Sequence, residues 1–135
     1  MSVIVTDSGF AADDFQGEFS PFEQDAPQAA AIDLNSDAEP AHLSGQLDSA
    51  EVIRVDFPSF ADGRGFTIAR QLRLMGYKGR LRAKGHVLAD QYAMARRSGF
   101  DEVEIDDDLA ARQAEPQWLA RANWQAHDYQ SRLRG

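Results

Sequence analysis

The sequence predicts an α/β fold, organised as a single domain of about four βα units around a mainly parallel sheet. Short segments rich in Val, Ile and Leu alternate with segments that have helical apolar spacing, and the connections between them are brief. This alternation favours parallel strands joined by crossover helices of one hand. A chain of 135 residues supplies one hydrophobic core. Four units are too few to close a barrel, so we expect a half-barrel-like sheet and consider a homodimer.

The first 28 residues are predicted to form an acidic N-terminal arm, and residues 29–135 the α/β domain with C-terminal helices. Residues 7–28 are acidic, contain two prolines and lack a regular apolar period, which is typical of an extended or disordered segment. Four phenylalanines interrupt the acidity: Phe10, Phe15, Phe19 and Phe22. Such a segment either docks on a partner or lies across its own domain, and the second outcome is the commoner.

The secondary-structure elements are predicted from apolar spacing and from residues that start or stop helices. The predicted strands are residues 29–34, 51–57, 79–84 and 101–106. The predicted helices are residues 39–47, which is weak, 67–75, 87–97, and one or two helices within 109–134. Thr67 is a candidate N-cap, Gly76 and Gly99 are stop signals, and Pro116 is expected to open the last helix.

Charge is distributed unevenly along the chain. The net charge is −8, yet residues 1–50 hold ten Asp or Glu and no Lys or Arg. Residues 54–97 hold ten Lys or Arg and three Asp, a net charge of +7. Two interpretations stay open: the basic region binds an anionic ligand or acidic partner, or the chain's own acidic region screens it. The net charge argues against a general nucleic-acid binder.

Three features that the sequence lacks, namely cysteine, a membrane span and a secretory signal, lead to expectations about the protein's compartment and cofactors. It contains no cysteine, which excludes disulfides, thiolate metal sites and cysteine nucleophiles. No apolar run approaches the roughly 20 residues of a membrane span, and the N-terminus has no secretory pattern. We therefore expect a cytoplasmic protein without a membrane segment, and we predict no metal or cofactor.

The residues most suggestive of a site occur in a block at 55–91, where βα loops are expected to converge at the carboxyl ends of strands. In its Asp-Gly-Arg-Gly turn, glycines free backbone amides near a helix start and an arginine projects between them. On the next strand, an Arg and a Lys two residues apart share one face. The candidate anion- or partner-binding residues are Arg64, Arg82, Lys84, Gly63, Gly65, Asp56 and Gln91. The candidate general bases are Asp62 and Asp90.

A scaffold interpretation of the same block stays open. Asp62 could cap the following helix while Arg64 pairs with Asp56 or Asp90. The turn lacks the Gly-Lys-Ser/Thr ending of a phosphate-binding loop and the third glycine of a dinucleotide fingerprint. Elsewhere, an i, i+4 pair of His86 and Asp90 and the acidic run at 102–108 are more often structural than metal-binding.

The block also carries a family resemblance. The residues that carry it are Asp56-Phe57-Pro58, Phe60, Asp62-Gly63-Arg64-Gly65, Ala69-Arg70, Leu72-Arg73, Gly76-Tyr77, Gly79, Leu81-Arg82-Ala83, Gly85, Val87-Leu88, Asp90-Gln91, Gly99-Phe100 and Tyr129-Gln130. This run resembles the bacterial family known as domain of unknown function nine hundred thirty-four, over about half of the chain. Members are typically encoded beside the assimilatory sulfite (or nitrite) reductase haemoprotein and are often described only as oxidoreductases. One departure is Ser98, which stands where members often have Cys, so a cysteine redox step is not expected.

The resemblance implies an accessory role in sulfur assimilation. The protein would bind a small oxyanion, or dock through a basic loop face on the reductase haemoprotein or its electron donor. Two alternatives stay open: an independent small βα enzyme that uses Asp62 or Asp90 as general base, and a structural homodimer.

Overall fold

A seven-stranded sheet organises the chain. The computed structural model describes residues 2–15, 17–22 and 29–127, and the structural statements below concern those residues. The strands are β1 (Ser2–Thr6), β2 (Gly9–Ala11), β3 (Ser20–Pro21), β4 (Ala31–Leu34), β5 (Val52–Phe57), β6 (Arg80–Gly85) and β7 (Glu102–Asp106). Their order in the sheet is β2-β1-β7-β6-β5-β4-β3.

The sheet is mostly parallel. Strands β3 to β7 are parallel to one another, whereas β1 runs antiparallel to β7 and β2 runs antiparallel to β1. Because β4 to β7 are neighbours both in sequence and in space, crossovers of one hand place their helices on one face of the sheet. The predicted α/β class, single domain and mainly parallel sheet are confirmed.

The N-terminal boundary differs from the prediction. Residues 2–11, assigned to the acidic arm, instead form two strands of the same sheet. Val3 and Val5 pair with Ile105 and Val103 of β7, so an apolar run places this segment at the sheet edge. The acidity that suggested an arm begins only at Asp7.

Within the described residues, four α-helices accompany the sheet: α1 (Arg64–Leu74), α2 (Tyr92–Ser98), α3 (Asp107–Arg112) and α4 (Glu115–Leu119). Short 3-10 turns occupy Pro40–Leu43, Ala89–Gln91 and Trp124–His127. None of the helices in the described part of the chain has the length and apolarity needed to cross a bilayer.

Helix boundaries show which local signals were strong. Gly76 and Gly99 follow α1 and α2 with φ of +100° and +117°, a conformation that favours glycine, so both stop signals are confirmed. Pro116 lies in the first turn of α4, as predicted. The predicted N-cap Thr67 is wrong, because α1 already begins at Arg64 behind Gly63. The predicted weak helix at 39–47 is only a 3-10 turn. The last part of the predicted C-terminal helices, and the Tyr129-Gln130 pair, lie outside the described residues.

The hydrophobic core lies between the helices and one face of the sheet. Alternate residues of β5, Ile53, Val55 and Phe57, are buried there against α1, which contributes Phe66 and Leu72. Burying such side chains stabilises the fold by roughly 1.5–3 kcal/mol each. The period-2 alternation of the strands therefore sends the intervening, mostly polar residues to the opposite face of the sheet.

Candidate functional site

The helix-free face of the sheet carries a ladder of ion pairs. Asp33, Arg54, Arg82 and Glu102 lie side by side on β4, β5, β6 and β7. With Arg80 and Glu104 on the same face, they form what we call the charged ladder, which contains three arginines and three carboxylates. A one-residue slip of a strand would send these charges into the apolar core, so the ladder also fixes the register.

Arg82 is the centre of the ladder. Its side chain is 0% exposed, its Nε donates to Glu102 at 2.5 Å, and its Nη1 donates to Glu104 at 2.9 Å. Both Nη atoms also donate to the two carboxylate oxygens of Asp13, each at 3.0 Å. Burial lowers the pKa of Arg82, but the surrounding carboxylates more than offset that effect and raise it above its usual value. Arg82 therefore stays charged and fully paired.

Arg54 is paired in the same manner. Its Nε and Nη2 donate to the two oxygens of Asp33 at 2.6 and 2.8 Å, and its Nη1 donates to Glu104 at 3.1 Å. The ring of Phe19 covers its guanidinium, with 3.8 Å between the guanidinium carbon and the ring centroid. A cation over an aromatic face adds a favourable contact.

An N-terminal segment closes this face. We define the cover as residues 13–15 and 17–22; it runs over the ladder and ends in β3, whose Ser20 and Pro21 pair with Ile32 and Asp33 of β4. Asp13 binds Arg82, and Asp14 binds Arg80 at 2.6 Å. Hydrogen bonds from Arg82 hold the pKa of Asp13 below its usual value, and those from Arg80 do the same for Asp14.

The acidic N-terminal region thus screens much of the basic region. The sequence left open whether the basic region binds a partner or is screened by the chain's own acidic region. Arg80 and Arg82 are screened in this way, and so is Arg96, whose Nη2 lies 3.1 Å from a carboxylate oxygen of Asp7. The phenylalanine-bearing segment lies across its own domain. Consequently Arg82, predicted to bind an anion or partner, cannot be reached by either while the cover is in place.

The Asp-Gly-Arg-Gly turn is also largely self-contained. Asp62 accepts a hydrogen bond from the Arg64 backbone at 3.0 Å and from its guanidinium at 2.7 Å, and Ser36 accepts another at 2.8 Å. These hydrogen bonds from Arg64 hold the pKa of Asp62 far below its usual value. Gly65 is buried against Phe57, where an added Cβ would lie 2.4 Å from the ring. Asp62 thus accepts from the first amide of α1, although the N-cap residue is Gly63 and supplies no side-chain cap, and Arg64 pairs with Asp62 instead of Asp56 or Asp90.

Asp90 and Gln91 belong to the turn that precedes α2. The side chain of Gln91 accepts from the backbone of Leu88 at 2.9 Å and donates to the carbonyl of Phe60 at 3.3 Å, so it closes the turn. Asp90 is exposed and binds Arg121 at 2.7 Å. The ring of His86 meets the carbonyl of Phe57 at 3.1 Å.

Lys84 and Asp56 lie together in a cleft of about 500 Å³ at the carboxyl ends of β4, β5 and β6. Lys84 is exposed and makes no ion pair or hydrogen bond with the part of the chain that the structure describes. The cleft is lined by Pro21, Phe22, Asp33, Leu34, Asn35, Asp37, Ala38, Glu39, His42, Arg54, Asp56 and Lys84. Four of these are carboxylates and two are permanent cations, so the lining is net acidic.

The predicted site is therefore distributed over separate places. Arg64 lines a second cleft of about 430 Å³ beside α1, and the loop at 37–39 contributes to both clefts. Lys84 and Asp56 share the first cleft, Arg82 lies beneath the cover, and Gln91 closes a turn. The structure does not bring Arg64, Arg82 and Lys84 around one ligand position.

Sequence reasoning missed the residues that pair with Arg82. The sequence indicates Glu102 and Glu104 only as part of an acidic run, and it does not mark Arg54 as a candidate. The alternation of side chains along each strand could have revealed them. Arg54, Arg82 and Glu102 each stand next to apolar residues of their own strand, so their side chains must lie on the face opposite the apolar core. Asp106, in the middle of the acidic run, caps α3 by accepting from the Leu109 amide at 2.8 Å.

Comparisons with known proteins place the chain in a family. Residues 31–135 match the family model described as bacterial protein of unknown function (DUF934). Neither the comparison with curated proteins nor that with solved structures finds a significant match. The match covers most of the α/β domain, including the charged ladder from β4 to β7. The chain therefore belongs to this bacterial family of unknown function.

Proposed function

We propose that the protein is a cytoplasmic accessory protein of assimilatory sulfite (or nitrite) reduction that docks on the reductase haemoprotein or its electron donor. The observation that carries the docking role is the outward surface of α1 and α2, which combines cations with exposed apolar side chains and has no carboxylate on either helix. The pathway is suggested by the genomic setting that the family resemblance implies.

The α1–α2 surface consists of Arg70, Leu74, Lys78, Met94 and Arg97. Leu74 is 81% exposed and Met94 is 53% exposed, whereas large apolar side chains are usually buried. The guanidinium of Arg73 donates to the carbonyl of Gly99 at 2.8 Å and so ties the C-terminal ends of the two helices together. Exposed leucine and methionine beside cations are typical of a surface that binds another protein.

The two outward arginines of this surface, Arg70 on α1 and Arg97 on α2, form no ion pair with any residue that the structure describes. Between Asp62 and Asp101 the sequence contains a single acidic residue, Asp90. Arg73 and Arg96 turn towards backbone carbonyls and the carboxylates of Asp101 and Asp7. Arg70 remains exposed and has no ion pair with any residue that the structure describes. Such a surface is complementary to an acidic face on a partner and would speed association.

Two other roles have weaker support. Oxyanion binding in the larger cleft is disfavoured because its carboxylates outnumber its cations. General-base catalysis by Asp62 is disfavoured because a carboxylate with a strongly lowered pKa is a weak base. Asp90 is exposed and paired with Arg121, outside both clefts.

A deletion of the gene tests the proposed pathway. We expect the deletion strain to grow on sulfide or cysteine and to grow poorly on sulfate or sulfite, because electron delivery to sulfite would be impaired. Complementation with the wild-type gene should restore growth, and complementation with Arg70→Glu should restore it only partly. Arg112→Glu, an equal charge reversal at an exposed site on α3, serves as the matched control. Equal growth of the deletion and parent strains on sulfite would refute the proposal.

A further inference from the structure

The charged ladder and its cover together have the form of a binding site that is already occupied. We propose that the helix-free face of the sheet binds an acidic, phenylalanine-bearing peptide segment of a partner protein, and that the cover is an internal copy of that ligand. This face is opposite the α1–α2 surface, so the inference does not depend on docking through the helices.

The contacts define the ligand. Arg80 and Arg82 lie two residues apart on β6, which separates their positions by roughly 7 Å along the strand. Each binds one carboxylate of the cover in addition to its partners in the ladder, and those two carboxylates belong to the consecutive residues Asp14 and Asp13. The ring of Phe19 then stacks on the Arg54 guanidinium. The face therefore recognises two neighbouring acidic side chains followed by an aromatic ring.

The cover is held in a way that permits its displacement. The side chain of Asp14 is 72% exposed and water screens its ion pair with Arg80, while Asp13, which binds the buried Arg82, is itself 33% exposed. The β3 strand contains two residues and lies at the sheet edge. Phe15 and Phe19 are only half-buried. Segments with few buried contacts belong to the low-stability part of a fold and open locally.

Opening would leave no arginine of the ladder without a partner. Arg82 keeps Glu102 and Glu104, Arg80 keeps Glu102, and Arg54 keeps Asp33 and Glu104. The ladder on its own is charge-balanced, so the exposed face persists as a docking surface until a ligand arrives. The Nη2 of Arg82, which donates to Asp13 alone among the described residues, becomes available.

A peptide fits this face better than a small anion does. A free anion could replace the carboxylate of Asp13, but it would lie close to Glu102 and Glu104 without a compensating aromatic contact. A peptide that carries both carboxylates and the ring reproduces the whole set of contacts. In the intact chain it must compete with the tethered cover, whose effective concentration is in the millimolar range.

The test uses a labelled synthetic peptide with the sequence of residues 11–22 and the full-length chain carrying Asp13→Asn and Asp14→Asn. Fluorescence anisotropy should show at least a tenfold tighter Kd for this variant than for the wild type, because the variant's cover competes poorly. A peptide with both Asp changed to Asn should bind at least tenfold more weakly. Adding Arg80→Ala to the variant should weaken binding of the acidic peptide.

Near-UV circular dichroism of each variant establishes that it is folded. Equal binding of the acidic and Asn-substituted peptides, or no binding to a folded variant, would overturn the inference. A tight response to inorganic phosphate, absent with chloride at equal ionic strength and without peptide binding, would overturn it in favour of a small-anion site. None of these readouts involves sulfite reduction, so their failure is distinct from failure of the proposed function.

Discussion

Glu104→Gln is the substitution that most sharply tests the charged ladder as a structural element. Glu104 lies 3.1 Å from Arg54 and 2.9 Å from Arg82, and its side chain is 7% exposed. Removing one partner of a buried ion pair typically costs about 3–5 kcal/mol, because it leaves a buried charge poorly compensated. We expect about 3 kcal/mol here, since both arginines keep other carboxylates. For a chain of this length that loss lowers Tm by roughly 12 °C.

Urea denaturation followed by circular dichroism provides the measurement. The control is Asp14→Asn, an equivalent loss of one carboxylate from the same network at a side chain that is 72% exposed. We expect the urea midpoint of the control to stay near that of the wild type, since exposed pairs contribute little. Equal midpoints for wild type and Glu104→Gln would refute the argument that burial makes this network important for stability.

Three further predictions concern stability. Gly65→Ala should destabilise by about 1–3 kcal/mol because its Cβ would lie 2.4 Å from the Phe57 ring, whereas Gly63→Ala, with 3.9 Å to its nearest neighbour, should be nearly neutral in thermal unfolding. Ser98→Ala should raise the unfolding free energy by about 1 kcal/mol, since the buried Ser98 hydroxyl has no partner among the described residues; a lower urea midpoint would contradict this. The pKa of Asp13 is lowered in the folded state, so its stabilisation is present above its usual value of 3.8 and is lost as pH falls through the folded value. The rate of proteolysis within the cover should therefore rise more steeply with falling pH in the wild type than in Asp13→Asn. Identical pH profiles of the two proteins would contradict this prediction.

The fold was predictable where the signal was local. The period-2 strands, the glycine stops after α1 and α2, and Pro116 in α4 all follow from short-range physics. Strand parity correctly placed Arg82 and Lys84 on one face of β6. Whether that face was free depended on contacts between residues 69 positions apart, such as Asp13 with Arg82.

The candidate site was harder to predict because the sequence position of a charged residue does not reveal which residue it pairs with in the fold. Arg64 and Arg82 looked equivalent in sequence, yet one is exposed beside Asp62 and the other is fully buried. The accessible cation Arg70 lies on the outer stripe of α1. An exposed arginine on a helix is common and predicts no site by itself, whereas the neighbouring exposed Leu74 makes this one informative.

Docking through the α1–α2 surface can be measured as an affinity between purified proteins. Biolayer interferometry would compare wild type, Arg70→Glu and the Arg112→Glu control against the sulfite reductase haemoprotein and its electron donor. We predict saturable binding of wild type and control to one of the two proteins, weakened at least tenfold by Arg70→Glu and reduced by added salt. Absence of binding to both proteins, or equal affinity of all three variants, would contradict the account.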